Sequence, residues 1–156
     1  MASSTDAKGN VIFGYHEPGF NHVGSYQTSA RPFVSGSVHV PASGAAMASG
    51  YEVSFPGVTK FIIVRNDELG DEFGNSVIRL AFASGGLHQG PDQNYNYITI
   101  QPSSSFSADF RVTKLWLMSD SSTVTSASVV AGVTTIKAAR VPSGSWEDTI
   151  GVDKLS

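Results

Sequence analysis

Four histidines are the first residues of this chain that could hold a metal ion. His16, His22, His39 and His88 are scattered along the sequence, no HExxH pattern occurs, and there is no cysteine. A zinc site would therefore need distant parts of the chain to converge, which the spacing gives no reason to expect. We interpret His16 and His22 as packing or hydrogen-bonding side chains.

The acidic segment 67–75 is the best candidate for binding a cation. It brings several oxygen ligands of the kind that Ca²⁺ prefers into one loop, from Asp67, Glu68, Asp71, Glu72 and Asn75. Their spacing departs from the EF-hand pattern, so a solvated hairpin loop is the favoured interpretation. The same charge could equally steer a basic partner surface. We expect no cofactor, and cation binding by this loop stays open.

No pattern in the chain indicates catalysis. The serines occur without a GxSxG elbow, and the glycines without a phosphate-binding GxxxxGK[ST] loop. Glu52, Asp109, Glu147 and Asp148 could supply a carboxylate pair for glycoside hydrolysis, but the sequence brings no two of them to the required separation. We therefore expect no enzymatic activity and no catalytic residue.

Aromatic side chains are the other candidates for function. Tyr95 and Tyr97 alternate with asparagines, a pattern that suits a sugar-binding strand or an assembly interface, and that packing on an edge strand explains equally well. Trp146 lies in a Pro/Gly/Ser-rich segment near the C-terminus, where a large ring needs cover. It is either a lid on its own core or an anchor in a neighbour.

The composition limits the class of protein that must position these residues. At 156 residues with 40% hydrophobic content, the chain suits one domain with a sizeable core. A net charge of −3 argues against nucleic acid as a partner. The longest apolar run, 61–64, is far too short to span a bilayer, and no signal peptide begins the sequence, so we expect neither a membrane partner nor secretion.

Alternating apolar and polar residues predict about eight short strands separated by turns. Glycine, serine and β-branched residues are abundant and charged residues make up only 15%, so little helix is expected. We predict an all-β, single-domain antiparallel β-sandwich of jelly-roll type with an extended N-terminal arm. The predicted strands are 34–40, 51–55, 58–65, 76–82, 95–100, 105–110, 112–118 and 123–136.

Three segments are predicted along the chain. Residues 1–32 form an extended arm, 33–141 the β-sandwich, and 142–156 a C-terminal contact segment. The arm is richer in apolar side chains than a free tail, so it needs a surface to pack on. The predicted assembly contacts are Phe13, Tyr15, Phe20, Tyr26, Phe33 and Trp146.

A short echo links two of the predicted strand pairs. Val58-Thr59-Lys60 and Val112-Thr113-Lys114 each follow an alternating strand that ends in phenylalanine and each precede a strongly apolar strand. This pattern favours two strand pairs that cross from one sheet to the other, with a lysine at each corner. Coincidence between two strands is the alternative explanation.

These residues carry a resemblance to a known family. The runs 19–27 and 29–33, followed by Phe55-Pro56-Gly57-Val58-Thr59-Lys60 and Phe110-Arg111-Val112-Thr113-Lys114, resemble small virion structural proteins of marine tailed bacteriophages, such as those infecting cyanobacteria. The resemblance implies a non-enzymatic particle component. The C-terminal segment of the family is not clearly matched after Ile136.

We therefore expect a bacteriophage virion structural protein, a capsid decoration or cement subunit whose arm stabilises the particle. Its expected partners are copies of itself and other virion proteins, the major capsid protein first, and its expected location is the virion, assembled in the host cytoplasm. The alternative is a carbohydrate-binding or adhesion module of a tail or fibre that uses Tyr95 and Tyr97. A glycosidase built on the sandwich is a more distant option.

Overall fold

The computed structural model of the protein describes residues 4–5, 11–13, 19, 21–43, 50–69, 76–87 and 96–140, with the backbone alone for 4–5, 11–13 and 140. Antiparallel strands dominate these residues, and the one α-helix is five residues long. The all-β prediction is therefore confirmed. The described helices are too short to cross a membrane.

The strands and helices follow the predicted order closely. The strands are β1 Ser4–Thr5, β2 Val11–Phe13, β3 Arg31–Val40, β4 Tyr51–Ser54, β5 Gly57–Asn66, β6 Ile78–Ala81, β7 Tyr97–Ile100, β8 Ser105–Ala108, β9 Lys114–Ser119 and β10 Thr125–Lys137. The helix α1 is Val23–Gln27, and two 3-10 turns are Ser84–Leu87 and Ala138–Arg140.

Two four-stranded antiparallel sheets make up the sandwich. Sheet I has the strand order β3-β10-β5-β8, and sheet II has the order β4-β9-β6-β7. The pairs β3/β10, β4/β9, β5/β8 and β6/β7 are nested in the sequence, so each pair encloses the next one. Consecutive pairs alternate between the sheets, which places both chain segments of a pair on the same side of the core.

The core lies between the sheets because alternate residues of each strand point inward. On sheet I the inward residues include Ile62 and Val64, and on sheet II they include Leu80, Leu115 and Leu117, all of them fully buried. A buried aliphatic side chain of this kind contributes about 1.5–3 kcal/mol relative to an exposed one. The remaining core residues are Val38, Val40, Val53, Phe55, Ile78, Ile100, Val112, Ala127, Val129, Ala131 and Val133.

The two Val-Thr-Lys segments meet at one corner of the sandwich. The chain passes there from β4 in sheet II to β5 in sheet I, and from β8 in sheet I to β9 in sheet II. Thr59 is buried and joins the two crossings: its N–H donates to the carbonyl of Val112 at 2.9 Å, and its Oγ1 donates to the carbonyl of Phe110 at 2.5 Å. The crossing that the sequence echo predicted is therefore present.

Sheet II carries apolar residues on both faces. Trp116 and Met118 alternate with the inward Leu115 and Leu117, and they form a second buried cluster with Ala81 and Leu87. Leu87 belongs to the 3-10 turn after β6, so this connection covers the outer face of the sheet. A run of buried residues without polar alternation, as in β9, is the expected sequence pattern for a strand covered on both sides.

The described part of the arm differs from the extended segment that the sequence predicted. It contains the short β1/β2 pair and the helix α1, and β3 begins at Arg31 rather than at residue 34. Pro32 can lie inside β3 because this strand is at the edge of sheet I, where one row of N–H groups needs no partner in the sheet.

Candidate assembly surface

The helix α1 lies on the outer face of sheet I rather than projecting from the domain. Ser25 is its buried residue, and the Ser25 hydroxyl lies 2.9 Å from His22 Nδ1. A five-residue helix that contains glycine and serine has little intrinsic stability. Packing on the sheet therefore holds this turn in place, as the sequence analysis expected of an arm that needs a surface.

A glycine in β10 provides the place where the arm meets the sheet. A Cβ added to Gly132 would lie 2.3 Å from Cε1 of Phe61 and 2.8 Å from the Cβ of Ala30. The ring of Phe61 thus occupies the space above Gly132, and the residue that precedes β3 packs beside it. We call this place, formed by Ala30, Phe61 and Gly132, the arm seat.

Two cations fix the arm beyond the seat. The guanidinium carbon of Arg111 lies 4.0 Å from the centre of the Tyr26 ring, a cation–π contact worth about 0.5–1 kcal/mol at a surface. Lys60 Nζ donates to the carbonyl of Thr28 at 3.3 Å. Burial raises the pKa of the Tyr26 phenol, and the positive charge of Arg111 lowers it by a smaller amount.

A partly exposed apolar row lies beside the arm seat. Val34, Val130 and Ile63 lie side by side on three neighbouring strands, since Val130 pairs with Val34 on one side and with Ile63 on the other. Val34 is 68% exposed, and the other two are half-buried. We call these three residues the outer row. Their exposure on a sheet face marks a surface that another protein could cover.

Phe33 and Tyr26 are the predicted assembly contacts whose side chains are described. Phe33 is half-buried and packs edge-on against Phe55, with ring centres 5.1 Å apart. Tyr26 is half-buried on Arg111. Both residues thus contact their own domain, and their contacts with a second protein stay a prediction. Phe13 lies in β2 with only its backbone described, and Tyr15, Phe20 and Trp146 lie outside the described residues.

Tyr97 opens β7, and its ring is half-buried on the outer face of sheet II. The guanidinium carbon of Arg79 lies 4.9 Å from the ring centre, and the ring packs against the cluster of Trp116 and Met118. Arg79 is itself buried and ion-paired with Asp120, and its Nε has no hydrogen-bond partner. Tyr95 lies outside the described residues.

The described residues contain no group of three or more His, Cys, Asp or Glu side chains that could hold a metal ion. In the acidic segment, Asp67 pairs with Arg65 at 3.4 Å, and Glu68 Oε1 accepts the N–H of Ser126 at 3.0 Å. Asp71, Glu72 and Asn75 lie outside the described residues, as do His16 and His88.

The sequence did not predict that three residues of this surface contact the arm. Arg111 and Gly132 carried no pattern of their own, since an arginine at a corner and a glycine in a strand have many roles. Lys60 was expected to be exposed at a corner, and it is half-buried beneath the arm. Only the apolar content of residues 1–32 indicated that a surface of this kind must exist.

The fold and this surface define the class as an all-β protein built from two antiparallel sheets with a packed arm. No family model, curated protein or solved structure matches the chain.

Proposed function

We propose that this chain is a non-enzymatic structural subunit of a bacteriophage virion, a capsid decoration or cement protein that stabilises the particle through arm-mediated contacts. The observation that carries the proposal is the strand order. The nested pairing of sheets ordered β3-β10-β5-β8 and β4-β9-β6-β7 supports a jelly-roll assignment, and jelly rolls are used by viral capsid domains.

The outer face of sheet I supports the same proposal. The described part of the arm contacts it at the seat around Gly132 and through Arg111 and Lys60, and the partly exposed outer row of Val34, Val130 and Ile63 lies beside it. A cement subunit needs such a face to contact copies of itself and the major capsid protein. The resemblance of runs 19–33, 55–60 and 110–114 to small phage virion proteins points the same way.

The test is quantitative mass spectrometry of particles purified from a lysate of the cell that expresses the gene. We expect peptides of this chain to copurify with intact particles in a fixed ratio to the major capsid protein. A variant lacking residues 1–30 should remain in the unassembled fraction, because it has lost the arm. Finding the intact chain only in the unassembled fraction would contradict the proposal.

Carbohydrate binding remains the second candidate because lectin domains also use jelly rolls. The half-buried ring of Tyr97 on the outer face of sheet II is the observation that favours it, since sugars stack on such rings. Arg79 already contacts this ring, so glycan binding would have to use its other face. Screening the purified chain against a glycan array, with Tyr97→Ala as the control, separates the two candidates.

A further inference from the structure

One end of the sandwich combines exposed apolar residues with carboxylates. Leu69 is 86% exposed, the highest value among the large apolar residues described, and Val124 is 59% exposed. Both belong to loops at the end of the sheets where β5 stops and β10 begins. The loops are joined there, since the N–H of Asp67 donates to the carbonyl of Ser126 at 3.0 Å.

The charge of this end is negative among the described residues. Asp67, Glu68 and Asp120 supply three carboxylates, against the two guanidinium groups of Arg65 and Arg79. Both cations are already paired, Arg65 with Asp67 and Arg79 with Asp120. Glu68 is the carboxylate here that has no ion-pair partner among the described residues. We call this surface the acidic end.

The opposite end of sheet I carries an apolar groove with a basic rim. The groove has a volume of about 300 Å³, and its walls include Pro32, Phe33, Pro56 and Ile136. Arg31 and Lys137 line the same groove. Lys60 and Arg111 lie at the neighbouring corner with the described carboxylates Asp109 and Glu52, of which Glu52 pairs with Lys114 at 3.5 Å. We call this surface the basic end.

We infer that the chain binds a second copy of itself head to tail, with Leu69 of one copy in the groove of the next and Glu68 facing Arg31. The two ends are complementary in both charge and apolar character, and they lie on opposite ends of one chain. An interface between different surfaces of identical chains closes into a ring or extends as a filament. This inference rests on the proposed function and names one of its partners.

Two single variants test the interface by analytical ultracentrifugation. Leu69→Ser removes the exposed apolar residue and leaves the groove intact, whereas Arg31→Glu reverses the charge at the groove and leaves the acidic end intact. Both residues are exposed, so the fold should tolerate either change. Val23→Ser, at an apolar residue that is 61% exposed on α1, is the matched control.

Each variant alone should sediment as a monomer, and the Val23→Ser control should form the same multimers as the unchanged chain. An equimolar mixture of Leu69→Ser and Arg31→Glu should form a one-to-one dimer and nothing larger, because one intact acidic end and one intact groove remain. A mixture that stays monomeric would overturn the head-to-tail interface, as would a single variant that still forms multimers.

Particle binding separates this inference from the proposed function. A chain that is monomeric in solution and still copurifies with particles would overturn the head-to-tail contact and leave the virion function standing. A chain that forms the mixed dimer but never copurifies with particles would support the contact and overturn the virion function.

Discussion

Among the described glycines, Gly57, at the corner between β4 and β5, has the closest approach of other backbone atoms. An added Cβ there would lie 2.6 Å from the carbonyl oxygen of Ile136 and 3.1 Å from that of Thr134. Backbone atoms inside a sheet cannot move aside easily, so Gly57→Ala should lower the free energy of unfolding by about 1–3 kcal/mol. Urea denaturation measures this change.

Gly36→Ala is the matched control for that substitution. Gly36 also lies in a strand of sheet I, but an added Cβ would meet nothing within 4 Å. The free energy of unfolding of the Gly36→Ala variant should therefore stay within about 0.5 kcal/mol of that of the unchanged chain. Equal destabilisation by both substitutions would show that the corner is not the tight contact described.

Asn66 is a fully buried polar residue of β5 that hydrogen-bonds to β7 and to the segment before β6 at the acidic end. Its Nδ2 donates to the carbonyls of Ser76 at 2.5 Å and Ile100 at 3.1 Å, and its Oδ1 accepts the N–H of Glu68 at 3.2 Å. Asn66→Ala would leave these buried groups without hydrogen-bond partners. It should therefore lower the free energy of unfolding by about 1–3 kcal/mol. Thermal unfolding followed by circular dichroism checks this, and an unchanged melting temperature would contradict it.

Ionisation of the Tyr26 phenol makes the stability of the fold depend on pH in a defined direction. Because burial raises its pKa in the folded chain, its contribution to stability is present below the ordinary value of about 10 and is lost as pH rises through the folded pKa. Alkaline titration of tyrosinate absorbance, with Tyr26→Phe as the reference, should show one phenol with a raised pKa.

Titration of the Arg111→Gln variant tests whether Arg111 contacts the Tyr26 ring. The positive charge of Arg111 lowers the pKa of Tyr26, so its removal should raise that pKa further if the arm stays in place. Release of the arm would do the opposite, because an exposed phenol returns to its ordinary value. A pKa that does not respond to Arg111→Gln would contradict the contact between the two side chains.

At the scale of single elements, the strands could be predicted well because each has one strong pattern. The alternation of Tyr51, Val53 and Phe55 marked β4, and the apolar run 115–118 marked β9. The described part of the arm could not be predicted in the same way. Its helix has no apolar period, and it packs against β10, where Gly132 leaves room for Ala30 and Phe61.

The arm itself can be removed to test how much of the fold depends on it. The truncation should remove residues 1–30 and keep Arg31, since β3 starts at Arg31 and pairs with β10 along its length. We expect the shortened chain to keep its cooperative unfolding and to lose some stability, because Phe61 and Gly132 lose the cover of the arm. A chain that unfolds without a cooperative transition would show that the arm belongs to the core.

At the scale of the whole molecule, the nested strand order was the feature that sequence could indicate only in part. The echo of Val58-Thr59-Lys60 and Val112-Thr113-Lys114 predicted one pair of crossings between sheets. The pairing of β3 with β10 joins residues about a hundred positions apart, and no local pattern specifies such a partner. The same limit applies to the two ends, whose complementarity depends on which loops the topology brings together.

The mass of the native protein in solution tests most directly whether this chain works by assembly. Sedimentation equilibrium of the intact 16.4 kDa chain over a range of concentrations gives that mass. We expect a multiple of the chain mass that falls toward the monomer on dilution. A single 16.4 kDa species at every concentration, with binding to glycans and none to virion proteins, would contradict assembly as its function.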